Sequence, residues 1–303
     1  MPKILSRRNI LGAGLVVGAV AGTALTGTAH AEEAEGRGAL IGPASGDRLH
    51  LITFNLRYEG GNPSPRTWDE RRPLVKTVLR RERPTVLFTQ EGLFGQLQDV
   101  HDDLHGYDWI HLGRLGGSQS EATAVYWRRD RLKVLEYDHL WLSDTPRLIG
   151  SKGWGNNVVR MLTWVRFEDL ETGRDFYTVN NHFDHQSEDS RQKGAQMNLD
   201  VIAEWTSPVI VAGDFNNTPD TAIHRIFTDG GLVDTMLEAE EQVTPVYGTW
   251  NGWDPLPSED ARRIDWILAT PGVRIHKAAV NTYSEDGLTP SDHWPAQALV
   301  SLT

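Results

Sequence analysis

The chain has 303 residues, a formal net charge of −11, eleven tryptophans and no cysteine. The lack of cysteine excludes disulfides and thiolate metal sites. The acidic balance argues against tight nonspecific polyanion binding, which rests on basic surface, but leaves open a local basic groove or bound cations.

Residues 1–31 read as a targeting segment. Ser6-Arg7-Arg8-Asn9-Ile10-Leu11 is a twin-arginine pattern, a Gly/Ala-rich apolar run follows from Leu11 to Leu25, and Ala29-His30-Ala31 offers an A-x-A cleavage site. A membrane anchor is the competing reading; the run is short for one and broken by glycines. The expectation is a protein secreted or placed outside the cytoplasm, without an anchor after cleavage. Cleavage would remove Lys3, Arg7 and Arg8 and no acid, taking the charge from −11 to −14. Residues 32–47 lack periodicity and read as a disordered lead-in. Residues 48–303 show no repeat or linker and are long enough for one large domain with a substantial core.

Within that body, Arg48 to Asn55 reads as a first strand. Trp68 to Arg83 follows as an amphipathic helix burying Leu74, Val75, Val78 and Leu79, and Pro84 stops it. Thr85 to Glu91 is a second buried strand ending in an acid, and a helix is expected over 94–104. Strands are expected near 107–112, 121–128, 132–139, 158–167 and 175–182, then a helix from Ser187 to Trp205. A strand runs into Asp214, with a short helix near 220–229 and strands near 262–269, 273–283 and 294–301. Many strands separated by a few long helices predict packed sheets covered by helices.

The most informative segment is Val209-Ile210-Val211-Ala212-Gly213-Asp214-Phe215-Asn216-Asn217-Thr218-Pro219. A β-branched run delivers Asp214 to a Gly/Asn/Thr/Pro turn, and alternation along extended backbone predicts that Asp214 and Asn216 point the same way. A carboxylate beside a carboxamide can orient a water or a metal-bound oxygen; an Asx-turn satisfying local backbone is the plainer alternative. Polar residues recur where other strands stop: Asn55, Glu91, His182, Asp265 and the pair Asp292-His293. Strand ends of layered α/β folds gather at one rim, where ligand sites lie. A lone Glu or His there is usually a loop or structural group. Asp265, flanked by Ile264 and Trp266, is costly to bury unpaired. His293 is its natural partner, since an Asp–His hydrogen bond fixes the tautomer and favours the cation.

In this order the motifs Thr53-Phe54-Asn55-Leu56, Gln90-Glu91, Asn181-His182-Phe183-Asp184-His185, Gly213-Asp214-Phe215-Asn216, Arg263-Ile264-Asp265-Trp266-Ile267 and Ser291-Asp292-His293 resemble the endonuclease/exonuclease/phosphatase superfamily. That superfamily includes pancreatic-type DNases, abasic-site endonucleases, neutral sphingomyelinases, inositol polyphosphate phosphatases and deadenylases. Trp68-Asp69-Glu70-Arg71-Arg72 and Trp141-Leu142-Ser143-Asp144-Thr145-Pro146 look like an exported bacterial branch. The resemblance implies a DNase I-like four-layer α/β sandwich, two packed mixed β-sheets flanked by helices. It implies a phosphoester hydrolase using Mg²⁺ or Mn²⁺, which suit oxygen ligands better than zinc does. Glu91 would be the main metal ligand, with Asn55 beside it and Asp292 completing the shell. Asp214 would position or deprotonate the attacking water and Asn216 orient it. His182 and His293 would hydrogen-bond the phosphoryl oxygens, and Asp265 would hold His293.

Two features depart from the pattern. Abasic-site nucleases carry an acid two residues after the first-strand Asn, where this chain has Arg57, suggesting a phosphate contact or an ion pair. The Trp- and Gly-rich stretch 139–160 reads as a substrate loop or a packed excursion, with Trp154 and Arg160 as candidate substrate contacts. The leading expectation is a phosphodiesterase or nuclease. A phosphorylated glycan, lipid headgroup or small molecule is the rival substrate, for diester or monoester cleavage, and an inactive binding protein is the alternative of another class. No stable protein partner is implied.

Overall fold

The computed structural model describes residues 38–60 and 65–303, all belonging to one unit. The expected signal segment and residues 32–37 lie outside the described residues.

Apolar residues on both sides of the central strands give them two buried faces. In β1 (Arg48–Asn55), Leu49 and Leu51 point to one side, Ile52 and Phe54 to the other. Helices α1 (Trp68–Glu82) and α2 (Phe94–Asp103) cover the second side through Val75, Leu79, Leu97 and Val100. The remaining strands are β2 (Val86–Gln90), β3 (Tyr107–Ile110), β4 (Ala124–Arg128), β5 (Leu132–Trp141), β6 (Met161–Asp169), β7 (Asp175–His182), β8 (Val209–Asp214), β9 (Val233–Asp234), β10 (Glu241–Gln242), β11 (Asp265–Ala269), β12 (Val273–Val280) and β13 (Ala296–Leu302). They form a sheet of order β10-β12-β13-β1-β2-β4-β3 and another of order β5-β6-β7-β8-β11-β9.

The inner faces meet in an apolar core of Leu49, Leu51, Phe88, Phe167, Phe176, Ile210 and Ile267. Helices α3 (Glu188–Ile202) and α4 (Ala222–Asp229) cover the outer face of the second sheet, with Ala195, Ile202, Ile223 and Phe227 packed on Val179, Val211 and Trp266. The order helix, sheet, sheet, helix is the expected four-layer sandwich. A one-turn helix, α5 (Thr235–Glu238), and the two-residue strands β9 and β10 escape sequence reading because they are too short to show a period. Among the described residues no helix is long and apolar enough to cross a membrane.

The lead-in expectation is corrected over its described part. The buried Glu82 carboxylate accepts the backbone N–H groups of Leu40 (2.8 Å), Ile41 (3.2 Å) and Gly42 (3.0 Å), and the Asn281 amide (3.0 Å). A single helix-end acid thus orders a stretch whose composition reads as disordered. A buried ion pair sets the approach to β11. Arg263 donates to Asp234 at 2.6 Å, with His224 on the same carboxylate at 3.1 Å. Burial opposes the Asp234 charge, but His224 and Arg263 outweigh it and keep its pKa below the usual carboxylate value.

Candidate active site

Moving along the strands, the space between the sheets turns from apolar to polar. Above Leu51, Phe88 and Ala212 lies a layer in which Gln90 donates to Thr53 Oγ1 (3.0 Å) and to Asn180 Oδ1 (2.7 Å), joining the sheets. Asn180 in turn donates to the carbonyls of Thr89 and Ala124. Buried amides need such partners, and this layer supports the groups above it.

The next layer gathers the expected residues. β1 and β2 are parallel, as are β7 and β8, so the pairs end at one rim. The register places His182, Asp214 and Asp265 in a row, because His182 pairs with Asp214 across β7–β8 and Asp265 with Asp214 across β8–β11. Facing them, Asn55 Nδ2 donates to Glu91 Oε1 (3.1 Å) and Asp214 Oδ2 (3.0 Å). Its oxygen accepts the Arg57 N–H (2.9 Å), so Asn55 as placed steadies two acids rather than presenting an oxygen to a metal. His293 Nδ1 bonds Asp265 Oδ2 at 2.8 Å, as expected, with Nε2 4.0 Å from Asp214 Oδ2. His182 Nε2 lies 3.7 Å from the same oxygen.

Asn216 departs from the expected geometry. The strand stops at Asp214, and Asn216 adopts a left-handed conformation with φ 50°. Its N–H bonds Asp214 Oδ1 (2.8 Å) and its amide bonds the Phe183 carbonyl (3.0 Å). The Asx-turn is therefore present, and it fixes Asp214 without turning it out of the cleft. Asn216 reaches the cleft through this turn, not through strand alternation.

The two histidines carry different charge. Burial works against a charged His293, but Asp265, Asp214 and Asp292 outweigh it and raise its pKa to about 10. Burial, then Arg160 and Arg114, hold His182 well below its ordinary value, so it is neutral. Burial and the Asp265 charge push Asp214 up to about 7, against His293 and the Asn216 and Asn55 hydrogen bonds. Burial also opposes ionisation of Glu91, yet Arg57, His293, Asn55 and the Tyr58 N–H keep it below the ordinary value. Burial and the Glu91 charge raise Asp292 despite His293 and Arg57.

Among the described residues two groups have ligand atoms within 4.8 Å of one another: Glu91, His182 and Asp214, and Asp214, Asp265 and His293. Asp292, expected to complete a metal shell, is in neither. Arg57 lies 3.6 Å from Glu91 and 3.8 Å from Asp292, forming the expected ion pair while still lining the cleft. The donor set still fits a hard cation. It is rich in carboxylate oxygens, and Asp265 Oδ1 is buried with no hydrogen-bond partner among the described residues.

A cleft of about 420 Å³ opens above these groups and is lined by Arg57, Glu91, Arg160, His182, Asp214, Asn216, Asp292 and His293. Arg160 is buried, its Nη1 2.8 Å from His182 Nε2 and its Nη2 3.1 Å from His185 Nδ1. Trp154 is a correction: it is not in this lining. Its indole N–H bonds Asp144 Oδ1 (2.7 Å) and its ring packs on the outer core of the second sheet, so that part of the 139–160 stretch is a packed excursion. Sequence reading missed Arg114, Glu121, His185, Trp250 and Arg262, which also line the cleft. Glu121 accepts from Arg114 at 2.9 Å and lies 3.9 Å from Arg160. These residues sit in loops or a few residues ahead of a strand, without periodicity to mark them.

The profile of the Endonuclease/Exonuclease/phosphatase family matches residues 52–293. The chain belongs to this family. Among solved structures it is similar to a family member from Bacteroides thetaiotaomicron, with a TM-score of 0.80 and 30% identity over 84% of this chain and 95% of that one. It is also similar to a mannosyl-6-phosphatase from the same organism, with a TM-score of 0.78 and 30% identity over 84% of this chain and all of that one. Carbon catabolite repressor protein 4 homolog 5 of Arabidopsis thaliana is 25% identical over 65% of this chain, which spans only 48% of that relative's length. The family and its 30%-identical neighbours mark the chain as a hydrolase of phosphate esters.

Proposed function

We propose that the chain removes phosphate from phosphorylated sugars outside the cytoplasm, with Mg²⁺ or Mn²⁺ in its acidic centre. The observation that carries this reading is the buried Arg160 beside neutral His182, facing cationic His293 across the cleft. Cations on both sides of the phosphate position suit a dianionic monoester, and guanidinium groups match phosphate oxygens well. A diester would bring a second organic group toward the wall formed by Arg160, Glu121 and Arg114. The likeness to the mannosyl-6-phosphatase, over that protein's whole length, supports the sugar. The nuclease reading is favoured by the arginines at 57, 114, 160 and 262, which could track a phosphate chain.

In this reading Asp214 accepts the proton of the attacking water, its position set by Asn55 and the Asn216 N–H. His293 donates to a phosphoryl oxygen, with Asp265 holding its Nδ1 proton. Arg160 and His182 meet the opposite oxygens. The cation, with Glu91 as its principal ligand, would neutralise charge developing on the phosphoryl group.

The test is hydrolysis by purified protein in Mg²⁺, Mn²⁺ or EDTA. Substrates are mannose 6-phosphate, p-nitrophenyl phosphate, bis-p-nitrophenyl phosphate, plasmid DNA, RNA and a phospholipid. Metal-dependent turnover of the monoesters above the diesters is expected. Preference for nucleic acid would replace this reading by the nuclease one, and activity undiminished in EDTA would remove the metal. Export rests on the twin-arginine and A-x-A motifs. The protein recovered outside the cytoplasm should have the mass of a chain starting at Glu32, and an intact Met1 start would exclude cleavage.

A further inference from the structure

Five of the eleven tryptophans, Trp68, Trp127, Trp141, Trp266 and Trp294, are buried, whereas Trp250 is 41% exposed and lines the cleft. Its position is tightly held. Thr249 and Trp250 both donate from the backbone to the Arg262 carbonyl (3.0 Å each), and Trp250 bridges His293. Trp294 N–H bonds the Thr249 carbonyl at 2.6 Å, while Asn251 and Gly252 both donate to the Asp292 carbonyl. Gly252 is left-handed (φ +57°), and a Cβ there would lie 3.3 Å from the indole ring. The Arg262 guanidinium is 5.8 Å from the ring centroid. An apolar ring is thus anchored to the backbone that carries two site residues, yet kept open to solvent, where burial would have stabilised it.

We infer that Trp250 is the platform on which the sugar ring of the ester stacks, with Arg262 reaching its hydroxyls; this rests on the phosphomonoesterase reading above. Trp250 is paired with His293, whose Nε2 lies 4.0 Å from Asp214. The platform therefore stands beside the phosphoryl position, in the cleft that must also take the alcohol part of the ester. The C–H face of a pyranose matches an indole, and its edge hydroxyls match a guanidinium. A lipid chain would need a continuous apolar wall, but Arg57, Arg262 and Asp292 surround this one. A nucleobase stands a ribose further from the phosphorus.

The test compares wild type, Trp250→Ala and Trp250→Phe on mannose 6-phosphate and on the acyclic glycerol 3-phosphate. Trp250→Ala should raise KM about fivefold to tenfold on the hexose phosphate, with kcat little changed. The acyclic ester should be unaffected, and Trp250→Phe should recover most of the loss. Equal effects on both esters, or none on the hexose phosphate, would overturn the platform. Calorimetric binding of mannose 6-phosphate to the same proteins separates this from failure of the parent reading. A wild type that binds without turnover, and loses affinity on Trp250→Ala, keeps the platform and removes the phosphatase; a wild type that does not bind removes the platform.

Discussion

Replacing Asp214 by Asn is expected to lower kcat by about 10²- to 10⁴-fold, the range associated with a general base. The fold should survive. Asp214 Oδ1 accepts the Asn216 N–H and Oδ2 accepts the Asn55 amide, so an isosteric amide keeps one of the two contacts. The other would set two NH₂ groups against each other, a defect of about 1–3 kcal/mol unless Asn55 turns over. Removing the charge also relieves the burial and the Asp265 repulsion that raise Asp214, which offsets part of that cost. Turnover of p-nitrophenyl phosphate, read beside a thermal melt, checks both halves. Near-wild-type kcat with an intact fold would remove Asp214 from the chemistry.

The largest structural effect is expected at the preceding residue. Gly213 has φ 142°, and a Cβ there would fall 2.1 Å from the Asn181 carbonyl oxygen and 2.8 Å from the Asn181 nitrogen. These are backbone atoms of the neighbouring strand in the β7–β8 ladder, so no side chain can swing aside. Gly213→Ala must therefore push β7 from β8, parting His182 from Asp214. The cost is expected to be about 3 kcal/mol or more, with poor recovery of folded protein. Urea unfolding measures it, and an alanine variant within about 1 kcal/mol of wild type would contradict the geometry.

Much of this architecture was legible in the residues. The apolar runs of β1, β2, β7 and β8 and the faces of α1 and α3 announce themselves by period, and the polar residues ending those strands meet at one rim. Asn55, Glu91, His182, Asp214, Asp265, Asp292 and His293 were all readable as strand-end exceptions. Roles were less legible than positions. Asn55 turns its amide toward two acids, Arg57 bridges Glu91 and Asp292, and Trp154 packs away from the cleft. Each depends on neighbours far away in the chain.

The sequence by itself determined the family, the layered fold and the set of groups available for chemistry, because period and residue type are local properties. Only the tertiary structure decided which histidine is charged. His182 and His293 are the same side chain at two strand ends, but one lies against Arg160 and the other against Asp265. Their charges follow from burial and the sign of the nearest partner, quantities that exist only once the two sheets have closed on each other.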